Sequence, residues 1–236
     1  GVEHAARIGL EDCAADTSPA APWGRPVTAP GASSCTLRVE WDSGLRYPLL
    51  VDPPWTATSA LSGSRGQHTA TLLQNGKVLV AGGSAAAVLA SAELYDPATR
   101  TWSTTGSMSA PRIGHAAALL NDGKVLVLGG AGTSAELYDP AAGTFGATGA
   151  LGAARSQATA TTLNNGKVLV AGGRVNGNEV ATTELFDPST GSFSAGAAMA
   201  RERSEHTATL LANGKVLIAG SLPTTMPPSF GGVERA

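Results

Sequence analysis

The stretch Asn75-Gly76-Lys77-Val78-Leu79-Val80-Ala81-Gly82-Gly83 decides how the chain is read. An Asn-Gly pair between apolar runs marks a tight hairpin, and it predicts a type I′ turn, whose two central residues both need positive φ. Four consecutive apolar residues follow the turn, which is the pattern of a strand covered on both faces. The run before the turn, His68-Thr69-Ala70-Thr71-Leu72-Leu73, is read as the preceding strand and is mixed in character.

The stretch then returns. Asp122-Gly123-Lys124-Val125-Leu126-Val127-Leu128-Gly129-Gly130 is the second copy, and Asn165-Gly166-Lys167-Val168-Leu169-Val170-Ala171-Gly172-Gly173 is the third. A fourth, Asn213-Gly214-Lys215-Val216-Leu217-Ile218-Ala219-Gly220, has Ser221 in place of the second glycine. Val78, Val125, Val168 and Val216 lie 47, 43 and 48 residues apart, a period that belongs to propeller blades. A third strand is read at Glu93-Leu94-Tyr95-Asp96-Pro97, Glu136-Leu137-Tyr138-Asp139-Pro140 and Glu184-Leu185-Phe186-Asp187-Pro188. Proline cannot donate to a ladder, so Asp-Pro ends that strand in a turn. Six residues after each of these aspartates comes Trp102, Phe145 or Phe193, read as opening a fourth, outermost strand and packing between adjacent sheets. Ten residues further on stands Arg112, Arg155 or Arg203, where the next unit starts; Arg65 holds that place in the first.

Composition excludes several function classes. The chain has 236 residues, 42% apolar and 14% charged, with a net charge of −2, so neither excess charge nor a basic field for nucleic acid is available. No apolar run reaches the ~18 residues that a membrane span needs. Glycine, at 30 residues, is well above average and dispersed, which fits short elements and frequent turns.

The glycine doublet, the spaced Tyr and Trp, and the Arg opening each unit resemble the kelch repeat over roughly residues 49–220. The resemblance implies an all-β protein: a kelch-type β-propeller of four-stranded antiparallel blades, with about four repeats visible and units starting near 65, 112, 155 and 203. Because kelch propellers serve mostly as binding scaffolds, it implies no single activity. Ala158 departs from the pattern, standing where His68, His115 and His206 stand in the other units.

Residues 47–236 are assigned to the propeller, with Leu50-Val51-Asp52-Pro53-Pro54-Trp55 read as the third-to-fourth strand corner of an earlier blade. Residues 1–46 are read as a β-rich segment or the tail of an upstream domain, with a loop over Ser18–Ser34. The end at Ala236 falls where a third strand is due, so a fragment of a larger propeller is expected, with a four-bladed ring as the rival reading. Cys13 and Cys35 are left open between a disulfide and two free thiols. A secreted or cell-surface location is expected.

Candidate residues divide by whether they recur. Arg65, Arg112, Arg155 and Arg203 fall on the same face as Glu93, Glu136 and Glu184, and their repetition argues for Arg-carboxylate ties in every blade rather than a catalytic centre. Gly82, Gly83, Gly129, Gly130, Gly172, Gly173 and Trp102 are structural on the same argument. His68, His115 and His206 lack an accompanying carboxylate or thiolate at ligand spacing, so no metal and no cofactor is assigned. The loops after the doublets vary instead, and Arg174, Asn176, Asn178 and Glu179 are the most polar of them, making them the candidates for binding. The function expected is a non-catalytic scaffold that binds a protein or glycan through loops on one face. The alternatives are part of a copper or other carbohydrate-active enzyme resembling galactose oxidase, whose copper is held by Tyr and His beside a Tyr-Cys crosslink, and a purely structural module of a larger surface protein.

Overall fold

A computed structural model describes residues 7–11, 36–40 and 58–220. The chain divides into two compact units, residues 1–56 and 57–236. In the first, β1 (Arg7–Glu11) pairs antiparallel with β2 (Thr36–Glu40). Cys13, Cys35, the Ser18–Ser34 loop, the Leu50–Trp55 corner and the segment after Gly220 lie outside the described residues.

The second unit is built from repeated meanders. Blade A contains β3 (Thr69–Leu72), β4 (Val78–Ala81), β5 (Ala92–Asp96) and β6 (Thr101–Thr104). Blade B contains β7 (Ala116–Leu119), β8 (Val125–Leu128), β9 (Ala135–Asp139) and β10 (Thr144–Ala147). Blade C contains β11 (Thr159–Thr162), β12 (Val168–Ala171), β15 (Thr183–Asp187) and β16 (Ser192–Ala195), interrupted by a small hairpin of β13 (Arg174–Val175) and β14 (Asn178–Glu179). A further pair, β17 (Thr207–Leu210) and β18 (Val216–Ala219), begins a fourth unit, here called D. Every pairing is antiparallel, in chain order. The first strands β3, β7, β11 and β17 lie side by side, so the sheets radiate from a common axis. No helix among the described residues is long and apolar enough to cross a membrane.

Burial follows position in this arc. All four residues of β8 are buried, because blade B has a neighbour on each side. One apolar cluster joins A to B through Leu79, Met108, Val125, Val127 and Tyr138, and a second joins B to C through Leu120, Leu126, Leu151, Val168 and Phe186. Burying such side chains supplies about 1.5–3 kcal/mol each, which is what holds adjacent sheets face to face.

One local expectation is corrected. The turns at Asn75-Gly76 and its copies are not type I′, since only the glycine has positive φ (81° at Gly76, 86° at Gly123). Leu73 N–H donates to the Lys77 carbonyl and Gly76 N–H to the Leu73 carbonyl, which makes a three-residue turn closed by a glycine bulge. The Asn75 carboxamide oxygen accepts the Lys77 N–H at 3.1 Å, and this Asx contact selects the turn. Among the described hairpin turns, an Asn-Gly pair with both φ values positive occurs at Asn176 (51°) and Gly177 (81°), between β13 and β14. Phe145 and Phe193 pack against the clusters between blades, and each outer aromatic also pairs within its own sheet: Tyr95–Trp102, Tyr138–Phe145 and Phe186–Phe193 are opposite each other across adjacent strands, with centroids 5.0, 4.9 and 4.9 Å apart. Such a pair contributes about 0.5–1.5 kcal/mol beyond area burial.

Candidate functional site

The meander puts the doublet loops and the linkers between blades on one face, and the Asx-Gly hairpins and Asp-Pro turns on the other. On the first face each repeated arginine sits inside its own blade. The Arg112 Nη1 donates to the carbonyls of Gly129 and Ser134, both at 2.9 Å, and Nη2 donates to Ser134 Oγ at 2.9 Å and Glu136 Oε1 at 2.8 Å. Arg65 repeats the set on Gly82, Ser91 and Glu93, and Arg155 on Gly172, Thr182 and Glu184. The second carboxylate oxygen is also used, accepting the N–H of Ser62, Ser109 or Gly152 at 2.8–2.9 Å. Arg112 is 0% and Glu136 3% exposed, so the pair is a buried knot fastening the strand, the loop and the linker. Burial pushes the Glu93 carboxyl up, but hydrogen bonds from Ser62 and the Arg65 charge outweigh it and hold Glu93 below its ordinary value. Arg203 donates to the Gly220 carbonyl at 2.8 Å.

The glycine doublet is the other half of each seam. Gly83, Gly130 and Gly173 donate their N–H to the carbonyls of Arg112, Arg155 and Arg203 of the next unit, at 2.9, 3.0 and 2.7 Å. A Cβ on Gly129 would lie 2.5 Å from the Arg155 carbonyl oxygen, and one on Gly130 2.5 Å from that of Ile113. No side chain fits at that approach.

The histidines explain the departure at Ala158. His115 Nε2 shares a hydrogen bond with Thr69 Oγ1 of the previous blade at 2.9 Å, and His206 Nε2 does so with Thr159 Oγ1 at 3.0 Å. Between B and C the partner position is Ala116, which has no hydroxyl, and Ala158 faces it. A third residue changes with them. The methyl ends of Met108 and Met199 lie against Gly82 and Gly172 beside the two imidazoles, and Leu151 takes that place where histidine is missing. Burial, then the nearby Arg112 charge, lowers the His115 pKa to about 4, and burial followed by Arg203 lowers that of His206. Both imidazoles are therefore neutral inter-blade ties. No group of three or more His, Cys, Asp or Glu among the described residues is arranged to hold a metal ion.

The four loop candidates do not act alike. Asn176 and Asn178 are exposed at the tip of the β13–β14 hairpin. Glu179 is only 9% exposed and accepts from Ser204 Oγ at 2.7 Å, while Arg174 Nε donates to the same Ser204 at 3.2 Å. Arg174 and Glu179 thus clamp the hairpin to the following linker, and the two asparagines are left on the surface.

A group missed by the sequence reading lies at the axis. A cavity of about 310 Å³ opens among Gln67, His68, Gly114, His115, Gln157 and Glu205. Gln67, Gly114, Gln157 and Glu205 each stand two residues after a unit's arginine, and all four have left-handed backbone, with φ of 54°, 62°, 56° and 55°. Only Gly114 adopts this freely; a non-glycine residue there costs about 1 kcal/mol or more. The constant offset from the arginine, polar in three units and glycine in one, was the available signal. On the opposite face a cavity of about 490 Å³ lies among Asn121, Asp122, Lys167 and Asp187. Lys167 and Asp187 in its wall form one of the repeated turn-to-turn pairs on this face, Lys77–Asp96, Lys124–Asp139 and Lys167–Asp187, at 3.2, 3.4 and 3.0 Å. The Ser189 hydroxyl and Lys167 pull the Asp187 pKa down to about 2.

Residues 65–109 and 154–200 match the family model of the Kelch motif. No curated protein matches the chain. The two matched segments start at or beside Arg65 and Arg155, and the unit between them repeats the same four strands, arginine knot and glycine doublet. With the motif matched twice and its geometry present in three successive blades, the chain carries kelch repeats over the segment that begins at Arg65.

Proposed function

We propose that the chain is a non-catalytic scaffold that holds a protein partner on the face carrying the doublet loops. Kelch repeats generally act as protein-interaction scaffolds. One observation carries the assignment of the face: the charged residues that recur there are consumed by knots within the blades, whereas the loops 84–91, 131–134 and 174–182 differ in length and present separate chemistry on a rigid base. The opposite face shows the converse. Its hairpins are near-identical Asx-Gly-Lys turns, paired with the Asp-Pro turns in blade after blade, and offer little to distinguish one partner from another.

The test is site-specific photo-crosslinking of the full chain in extract from its source cells. A crosslinker at Asn176, on the loop face, is expected to capture a discrete protein that unlabelled chain competes away. The same crosslinker at Asn165, on the hairpin face, is expected to capture none. Capture from Asn165 alone, or equal capture from both, overturns the proposal.

A further inference from the structure

The axial cavity carries a more specific inference, which rests on the loop-face reading above. We propose that the mouth formed by Gln67, His68, Gly114, His115, Gln157 and Glu205 takes a basic side chain, arginine or lysine, projecting from the protein partner.

The argument starts from the backbone. Gly114 shows that glycine satisfies the left-handed position two residues after the arginine, yet three units keep a long polar side chain there against the conformational preference of L-residues. The backbone needs no side chain at this place. Glu205 N–H donates to the Gln157 carbonyl at 3.1 Å and Gln157 N–H to that of Gly114 at 2.6 Å, bonds any residue makes. What the side chains add is a polar rim at the top of the axis.

The charge and hydrogen-bonding sense of that rim select the ligand. Among the described residues, Glu205 is the one carboxylate lining the cavity, and no lysine or arginine lines it. Gln157 Nε2 donates to Glu205 Oε1, which orients the amide so that its oxygen and the second carboxylate oxygen remain as acceptors. His115 is occupied by Thr69 at the cavity floor, and the nearest cation on the flanking hairpin, Arg174, is held by Ser204 and faces Glu179 at 3.9 Å. The Gln67 amide and His68 imidazole in the rim can turn either a donor or an acceptor inward, so the fixed features are the free Gln157 and Glu205 oxygens and one negative charge, which fit a donor-only cation, a guanidinium best. The cavity, at about 310 Å³, has room for one such side chain rather than a folded segment.

The experiment uses the full chain and N-acetyl-arginine methylamide as probe, with the neutral isostere N-acetyl-citrulline methylamide as control. Side-chain amide NMR signals of Gln67 and Gln157, assigned by their loss in Gln67→Gly and Gln157→Gly, are expected to shift saturably with the arginine probe and to stay still with the citrulline one. Glu205→Gln is expected to weaken the arginine probe about tenfold. Gln157→Gly, which places glycine where Gly114 already sits, is expected to keep its melting temperature while losing binding, separating the site from the fold. Equal response to both probes, or an unchanged affinity in Glu205→Gln, overturns the proposal. The two readings fail separately. Capture from Asn176 with no arginine response sinks only the axial site, and an arginine response with no loop-face capture sinks only the choice of partner.

Discussion

The seam between blades A and B and the seam between B and C share a frame and differ in what fills it. Both carry a buried arginine knot, a glycine N–H given to the next unit's arginine carbonyl, and an apolar cluster. The A–B seam adds polar ties, His115 to Thr69 and the Tyr138 hydroxyl to Thr105 Oγ1 at 2.8 Å. The B–C seam removes both at once: Ala158 faces Ala116, Leu151 replaces methionine, and Phe186 stands where Tyr138 stood. The difference teaches that the frame, not the histidine, defines a seam. Polar and apolar fillings are alternatives so long as no buried polar group is left without a partner: the histidine and its threonine leave together, whereas Thr148, the counterpart of Thr105, stays because its hydroxyl donates to the Gly191 carbonyl at 3.2 Å.

Breaking the shared frame has the largest expected effect. Arg112→Ala strips four hydrogen bonds and leaves Glu136, 3% exposed, as an uncompensated buried charge, so a loss of about 3–5 kcal/mol is expected in denaturant unfolding. Arg155→Ala is expected to cost a similar amount, since its knot with Glu184 is the same. A large difference between them would mean that the filling, not the frame, carries the seam.

Acid separates the two seams next. His115 is neutral when folded, with a pKa lowered to about 4 against its ordinary 6.5, so the unfolded chain takes up the proton first. Its contribution is complete above pH 6.5 and is lost as pH falls from 6.5 toward 4, by about 3 kcal/mol at most, with no further loss below. His206 acts in the same direction. The lowered pKa of Glu93 adds its own loss beneath pH 4.5, outside most of the histidine window. Unfolding free energies between pH 7 and 4 are expected to fall less steeply in a Thr69→Ala, His115→Ala double variant than in the wild type; an unchanged slope would refute the assignment to this seam.

Much of this frame was legible in the sequence because it recurs. Arg112, Glu136 and Gly129-Gly130 appear at fixed offsets in unit after unit, and repetition marked them as architecture before their contacts were known. The turns were misread because Asn-Gly serves two hairpin types, and the number of residues between the paired strands, rather than the dipeptide, selects between them. Gln67, Gln157 and Glu205 were missed for a different reason. Their chemistry is ordinary and their distinguishing property is a positive φ, which residue type does not announce outside glycine and asparagine. The link of Met108, His115 and Thr69 was likewise invisible one unit at a time, since its members come from two different blades.

Exchanging the fillings is the finer test. Ala116→Thr, Leu151→Met and Ala158→His together place the A–B set in the B–C seam, whose glycine doublet and arginine carbonyl are already arranged as in its neighbour. Ala158→His alone is expected to destabilise, burying an imidazole opposite a methyl group. Adding the threonine is expected to recover about 1 kcal/mol as a coupling energy in a double-mutant cycle, the size of one buried hydrogen bond. The smallest effect belongs to Tyr138→Phe, which gives blade B the ring that blade C has at Phe186. Only the hydroxyl is removed, and Thr105 Oγ1 keeps its bond to the Gly143 carbonyl at 3.2 Å, so neither partner is stranded and a cost of about 0.5–1 kcal/mol is expected in equilibrium unfolding. A cost of several kcal/mol would show that the polar filling of the A–B seam is a coupled network reaching from Tyr138 to His115; a small cost leaves the two ties independent, each exchangeable for its apolar counterpart one seam away.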